Sequence, residues 1–533
     1  MQSWPQGWEC LNSDQQNILV MVAKDLNPHL YPTDPLFGNR DHYAFYIPLF
    51  RRYLEILASH TGNLASGYRL LVFPLNLIFL WGAYIFFCRL WPSRSLAAGL
   101  ALCASFPFAV PGGAEMSGVG PLSQMLPRTL FTSVLPWLLM GYYRFLNHPR
   151  KLTAIFFATG LAANLHPVSG LLLSQILLLG LLFRRSFSWE TWKSVLLGGL
   201  AACAGAAPTL WSYLVHQSSA SLAAIPPDLL RDILQWRFPH NLYPPLNLTS
   251  LPPGGAHLLT AIVLVICVAA LLTRRKSLRP AALWAAMLLV LGYLLYPEGR
   301  FYLAFLLTAV ILFARDLPVD PDFDTTAGLV CATFLVAIGG ALILQHSGLW
   351  QVFPGLAINQ TRAARFVPFF LFIAVGFAVS TLLPLRGRPW SKSLVAALLL
   401  LAVGAQLRLT YRTHIHSRPQ PARENLVDLA HWARNHTAPT DVFVFDSLAF
   451  RLLAQRSLTG CAKDGGLWFF ASQGLVSWYD RQQQLADAQG APLRLRELGR
   501  KWGARYIVIS KAATNPSLPV AYANPGFYIL RSE

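Results

Sequence analysis

Residues 152–183 read LTAIFFATGLAANLHPVSGLLLSQILLLGLLF, an apolar run without a single Asp, Glu, Lys or Arg. One helix over that run would reach about 48 Å, well beyond a hydrocarbon thickness of about 30 Å. Pro167 removes a helix donor and clashes with the turn before it. The run therefore reads as two short membrane helices, 152–165 and 167–183, that reverse at His166-Pro167.

Similar runs flank it on both sides, at 68–88, 95–111, 127–146, 194–213, 257–272, 280–296, 299–313, 325–344, 366–385 and 390–406. Several are short against the roughly 20 residues that cross a bilayer. Composition agrees with the pattern: of 533 residues, 54% are hydrophobic and only 13% charged, where a soluble chain carries about 25% charged. Charged residues are sparse between Tyr68 and Gln406 and ordinary from Arg408 onward. The expected organisation is an outward N-terminal region, 1–67, a transmembrane bundle of about twelve segments over 68–406, and a C-terminal domain over 407–533.

The net charge of +19 would suggest nucleic acid in a soluble protein. Here Arg89 and Arg94, Arg150-Lys151, Arg184-Arg185, Arg274-Arg275-Lys276 and Arg386-Arg388 fall in short connections on one side of the count. They read as topology signals and lipid-phosphate contacts on a cytoplasmic face, so nucleic acid is not expected as a partner. The seven cysteines form no Cys-x-x-Cys pair, which argues against a zinc knuckle or redox pair. An even number of crossings puts both ends outside. The region 1–41 has no signal-peptide core, so a membrane helix preceding residue 1 is expected.

Three polar pieces then face outward. In the first, apolar residues from Tyr46 to Leu57 recur at three and four, with Arg51, Arg52 and Glu55 between them. That spacing predicts an amphipathic helix over 42–58, lying in the interface or packed on the bundle. The second, the loop 214–256, is rich in proline, which bars long regular helix through much of it. The tail alternates helical spacing (424–435, 448–453, 493–502) with short apolar strands (441–445, 505–510, 527–530), the pattern of a small α/β domain. Gly465-Gly466 within it reads as a turn.

Certain motifs bring a resemblance. Asp14-Gln-Gln through Leu30-Tyr-Pro-Thr-Asp34-Pro-Leu-Phe, the His166-Pro167-x-Ser-Gly170 break and Arg362-Ala-Ala-Arg365 lie ahead of the tail. The tail itself carries Leu429-Ala-His-Trp432-Ala-Arg-x-x-Thr437, Ala504-Arg-Tyr-Ile-Val-Ile509 and Asn524-Pro-x-Phe527. Together they resemble bacterial, especially cyanobacterial-type, polytopic membrane proteins related to the GT-C glycosyltransferases. The resemblance implies a mainly α, GT-C-like transmembrane bundle in a bacterial plasma membrane, with an extracytoplasmic α/β tail. It also implies inverting transfer of a sugar from a polyprenyl-phosphate donor to an envelope glycan, lipid or protein.

Such enzymes carry an essential acid in the first outward loop; the matching position here is Asp14, with Asp34 as runner-up and Glu115 a candidate for a second acidic wall. A carboxylate suits the chemistry because an acceptor hydroxyl must lose its proton as the glycosidic bond forms. The phosphate leaving group needs cations, for which Arg300 beside Glu298, Arg362, Arg365 and Arg128 stand at outer helix ends. Each has a plainer reading. Asp14 follows Asn12-Ser13 and fits a helix cap, Asp34 lies in a Pro-flanked turn, and boundary arginines also snorkel to lipid phosphate. His166 is either an intramembrane functional group or a structural partner of the broken backbone. No metal-ligand spacing occurs, although a divalent cation, Mg or Mn, between Asp14 and a substrate phosphate is compatible with the chemistry. Two other functions are open: a transporter or flippase of a lipid-linked intermediate, and a scaffold whose tail binds a partner.

Overall fold

The computed structural model describes residues 11–105, 108–110, 115–119, 125–184, 188–216, 225–238, 321–340, 359–366, 421–471, 473–512 and 518–532, with isolated residues at 343, 369, 370, 372, 373 and 376. The runs expected at 257–272, 280–296, 299–313 and 390–406 lie outside the described residues, as do Glu298 and Arg300.

The chain enters on α1 (Ser13–Leu26), a helix buried on nearly every side from Ile18 to Ala23. Asn12 caps it: its side chain accepts from Gln15 N, and the Gln15 side chain returns to Asn12 N, both at 2.9 Å. This reciprocal pair satisfies two orphan amides at the helix start. α2 (Pro48–Thr61) begins later than the spacing suggests, because Pro48 is fitted to the first helical position while residues 40–42 form a separate tight turn. It packs on α1 and on α3 (Ser66–Leu90). It packs with part of its charged face inward. Arg51 and Glu55 are buried while Leu49 and Ile56 are exposed, since the Arg51 guanidinium turns inward to the Tyr43 carbonyl (2.9 Å) and to Asp25 (3.6 Å).

α4 (Arg94–Ser105) is shorter than the run 95–111 suggested. It stops ahead of Pro107, and the chain turns into a small hairpin of β1 (Phe108–Val110) and β2 (Glu115–Ser117). Then come α5 (Pro127–Phe145), α6 (Pro149–Ala163) and α7 (Pro167–Arg184), with the break at 164–166. α8 (Trp189–His216) follows. Asn164, in the break, donates to the Gly205 carbonyl at 2.9 Å and accepts from Thr209, which ties the reversal to α8. α6 and α8 meet backbone to backbone: a side chain on Gly160 would strike the Ala202 carbonyl, and one on Gly205 the Phe157 carbonyl. Small residues at such crossings are the usual solution between helices in lipid.

Among the described residues, α3 and α8 are the helices long and apolar enough to span a bilayer. Neither is a buried core helix. Phe73 is 75% exposed, Trp81 58%, Leu200 68% and Trp211 70%, an apolar surface that suits lipid contact better than water.

The loop expected to resist helix contains one, α9 (Pro227–Arg237), whose two prolines sit at the cap and first position, where a missing amide costs nothing. α10 (Pro321–Phe334) continues as a wider π-helical turn over Leu335–Gly340, and a tight 3-10 turn spans Gln360–Phe366.

The tail is a three-layer α/β/α unit. Its elements are α11 (Pro421–His436), β3 (Val442–Val444), α12 (Leu448–Ala454), β4 (Ser457–Leu458), α13 (Gly465–Ala471), α14 (Leu475–Asp487), α15 (Pro492–Lys501), β5 (Tyr506–Ser510), β6 (Val520–Ala523) and β7 (Phe527–Arg531). The sheet order is β4-β3-β5-β7-β6, parallel through β4, β3 and β5 and antiparallel beyond. β5 shows why both faces are covered: Tyr506 and Val508 pack with Leu429 and Phe450, while Ile507 and Ile509 pack with Leu495 and Ala488. A strand buried on both sides reads as a continuous apolar run.

The N-terminal region, α9 and the tail pack together. α1 lies on α12. Trp236 of α9 meets Trp478 and Tyr479 edge-on at 5.5 and 6.0 Å, and Phe238 meets Phe469 at 5.5 Å.

Candidate active site

Asp14 occupies the first turn of α1, where the helix dipole favours a carboxylate. The cap belongs to Asn12, so the Asp14 carboxylate is left to other partners. Gln15 also donates to the Met125 carbonyl at 2.9 Å, which pins the start of α1 beside the start of α5, where Arg128 stands.

Facing Asp14 from the tail is Lys463, with Nζ 2.6 Å from Asp14 Oδ1. Lys463 rides on the turn Ala462–Asp464, which is held from several directions. Asp464 accepts from Cys461 N at 2.9 Å, Ala462 N donates to Asp446 at 2.9 Å, and Trp478 donates its indole N–H to the Cys461 carbonyl at 2.8 Å. Gly465 then opens α13 rather than forming the expected turn, and a side chain there would collide with the Trp478 ring. Both charged groups keep access to solvent, at 39% for Asp14 and 31% for Lys463.

Further cations gather around this pair. Burial is the largest influence on the Asp14 carboxyl and pushes it up, but Lys463, then Arg128 and Arg362, overcome it and hold the group below its ordinary value. Arg237, at the end of α9, is also within electrostatic reach of Asp14, and its guanidinium lies over the Phe238 ring at 4.9 Å. Tyr46 completes the ring; its phenol is pushed up to about 12 by burial first and then by the Asp14 charge. One carboxylate is thus surrounded by an excess of positive charge.

Arg365 belongs to a neighbouring chain of contacts. Its Nε donates to the Arg362 carbonyl at 3.0 Å and its Nη1 to Ser169 Oγ at 2.5 Å, and Ser169 Oγ lies 2.7 Å from His166 Nδ1. Ser169 N also donates to Nδ1 at 3.1 Å, so His166 acts as the cap of α7. This is the structural reading of His166, with the ring accepting from an amide rather than donating to a carbonyl. β2, which carries Glu115, lies against the Gln360–Phe366 turn.

Asp34 sits elsewhere, with its side chain enclosed. Oδ1 accepts from Leu36 N and Phe37 N, both at 3.1 Å, Oδ2 accepts from Leu458 N at 3.0 Å, and Arg451 Nε lies 3.0 Å away. Gly38 closes this turn onto the Asp34 carbonyl at 2.8 Å, where a Cβ would not fit. Arg451 also forks onto Asp464 at 2.7 and 2.8 Å. Burial lowers its basicity, but Asp34 and Asp464 more than reverse that and raise it. The carboxylate read as a second catalytic candidate is the core of a clasp between the N-terminal region and the tail.

The described site offers a single carboxylate, paired with an ammonium and within electrostatic reach of arginines, so a Mg or Mn ion there would draw its remaining oxygens from a substrate phosphate and water. Among the described residues no three His, Cys, Asp or Glu side chains come together.

Lys463, Arg237, Arg451 and Asp464 were not singled out by sequence reading. Their roles depend on contacts across the fold, and Cys461-Ala-Lys-Asp464 beside a glycine pair carries no local sign of them.

No protein-family model and no curated protein matches the chain. Among solved structures it is similar to ArnT from Cupriavidus metallidurans, in a crystal structure bound to undecaprenyl phosphate. The two are 15% identical over 97% of this chain and 96% of that one, with a TM-score of 0.36.

Proposed function

We propose that this chain is an integral membrane glycosyltransferase of the GT-C kind, which moves a sugar from a polyprenyl-phosphate donor to an envelope glycan, lipid or protein. The observation that carries the reading is Asp14, a half-exposed carboxylate at a helix start, surrounded by Lys463, Arg128, Arg362 and Arg237. That arrangement matches the demands of glycosyl transfer from a phosphate. The acceptor hydroxyl attacks the anomeric carbon, Asp14 takes its proton, and the bond to the donor phosphate oxygen breaks with its electron pair going to the phosphate. Arginine and lysine charge stabilises the phosphate as it leaves. A single displacement of this kind inverts the anomeric centre.

In this reading the N-terminal region, α9 and the tail lie on the extracytoplasmic side of a bacterial plasma membrane, while α3 and α8 contact lipid. Asp34 serves the clasp rather than the chemistry. The convergence of acid and cations at helix ends, with His166 engaged as a cap, favours an enzyme over a transporter with its polar site deep in the bundle.

The test is an assay of membranes carrying wild type or Asp14→Asn with a panel of labelled polyprenyl-phosphate sugars. The expected result is transfer by the wild type and a loss of about 10²-fold or more in the variant, with normal insertion. A variant that inserts normally and transfers at the wild-type rate would remove Asp14 as the base.

A further inference from the structure

The contact between Lys463 and Asp14 conflicts with both assigned roles in one respect. A carboxylate held by an ammonium at 2.6 Å is a weak base, because its charged form is already stabilised. A lysine occupied by a carboxylate is not offering its charge to a phosphate. The two groups suit the chemistry only if they part when the donor arrives.

The construction of the site supports such a parting. The turn Ala462–Asp464 is fixed by Cys461 N, Ala462 N and the Trp478 indole, and through Asp464 by Arg451, so the backbone of Lys463 stays in place. Its side chain is the mobile part, a flexible four-carbon stem with three rotatable donors, and about a third of it is accessible. Arg128, Arg362 and Arg237 are within electrostatic reach of the same carboxylate, so an incoming anion meets an existing positive field. The phosphodiester of a polyprenyl-phosphate sugar brings one negative charge spread over two non-bridging oxygens, which accept from Lys463 while the neighbouring arginines favour the anion, and so competes with the carboxylate for the same ammonium.

We propose that Lys463 is a phosphate ligand supplied by the tail domain, which holds Asp14 in the empty site and transfers to the phosphodiester of a bound polyprenyl-phosphate sugar, thereby releasing Asp14 to act as base. The proposal rests on the glycosyltransferase reading and adds donor-triggered activation to it. Entry of the phosphate removes the Lys463 contact and neutralises Arg128 and Arg362, so the influences holding the Asp14 carboxyl down weaken together. Tyr46, a phenol kept neutral by burial and by the Asp14 charge, does not oppose this. Without donor, Asp14 is locked and the acceptor is not activated.

The experiment measures direct binding of a labelled polyprenyl-phosphate sugar in the absence of acceptor, and separately of inorganic phosphate, to the full chain in lipid nanodiscs. Wild type, Lys463→Met, Lys463→Arg and Asp14→Asn are compared. Lys463→Met should bind the lipid phosphate about tenfold or more weakly, and Lys463→Arg should recover most of the affinity. Asp14→Asn should bind it more tightly than the wild type, because Lys463 is no longer held, and a lysine with a merely structural part would not produce that gain. Inorganic phosphate at equal concentration should not compete. Equal affinity of Lys463→Met and wild type, or unchanged or weaker binding by Asp14→Asn, overturns the transfer of Lys463 while leaving Asp14 as base. Competition by inorganic phosphate at equal concentration overturns the assignment to a lipid headgroup, and a wild type that binds no lipid phosphate overturns this proposal and the enzymatic reading together.

Discussion

Arg451 Nε lies 3.0 Å from Asp34 Oδ2 with both side chains at zero exposure, so a region that precedes the helical bundle and a domain that follows it share one buried ion pair. The second carboxylate of the triad, Asp464, adjoins Lys463 in sequence and receives the Arg451 fork at 2.7 and 2.8 Å. The clasp and the candidate active site are therefore two ends of one short turn.

Replacing Arg451 with Met should leave two buried carboxylates without their cation, at a cost of about 3–5 kcal/mol. Thermal unfolding of the purified protein reads this as a fall of several degrees. Adding Asp34→Asn and Asp464→Asn to Arg451→Met should recover part of the loss, because the stranded charges are gone. Arg451→Lys should not rescue, since an ammonium cannot make the forked contact. An unchanged melting temperature in Arg451→Met would contradict the clasp.

The pH dependence of Asp14 follows from the direction of its shift. Burial raises its carboxyl and Lys463, Arg128 and Arg362 lower it further than burial raises it, so the native group lies below its ordinary 3.8. A depressed native value contributes stability that is fully present above the unfolded value and is lost as pH falls through the native one. The stability difference between wild type and Asp14→Asn should accordingly be constant from neutral pH to the ordinary carboxylate range and disappear below it. A difference that vanishes at higher pH would mean that the cations do not act on Asp14.

The crossing of α6 and α8 predicts a sharp contrast between two glycines. Gly160→Leu must push against the backbone of Ala202, which cannot move aside as a side chain would, and should cost at least about 1–3 kcal/mol. Gly199→Ala, on the same helix pair, places its new carbon 3.9 Å from Leu178 and should be close to neutral. Melting temperatures in detergent check both, and equal losses would argue against the close approach.

Trp236→Ala should loosen α9 from the tail, since it removes the edge-on contacts with Trp478 and Tyr479. Such aromatic pairs are worth about 0.5–1.5 kcal/mol each beyond burial. Faster hydrogen exchange over α14 is the expected readout, accompanied by a few-fold weaker lipid-phosphate binding as Arg237 loses its seat. Unchanged exchange would show that α9 is not held by this tryptophan.

Local signals were legible where they were strong. The break at His166-Pro167 and the alternation of helix and strand in the tail appear where their spacing put them, because each depends on neighbours within a few residues, whereas the cap of α1 falls on Asn12 and not on Asp14. The errors have physical causes too. Residues 95–111 looked like one span because hydropathy averages over Pro107, and 227–237 looked irregular because proline at a helix start and proline within a helix have the same composition. The burial of Arg51 and Glu55 was not legible because nothing near them in sequence announces the buried Asp25. Within the candidate site, Arg128 and Arg362 could be named from span boundaries and Asp14 only through the family resemblance, whereas Lys463 and Arg237 become partners only once the tail and α9 have docked.

That docking sets a biosynthetic order. A ribosome delivers Asp14 and Asp34 ahead of the helices α3 to α10, and Arg451 and Lys463 only after them. Until the tail has emerged and folded, the two acids have neither clasp nor lysine partner. Folding of the tail is thus the event that completes the surroundings of both carboxylates, and a nascent chain that has reached only α10 holds them unpaired with it.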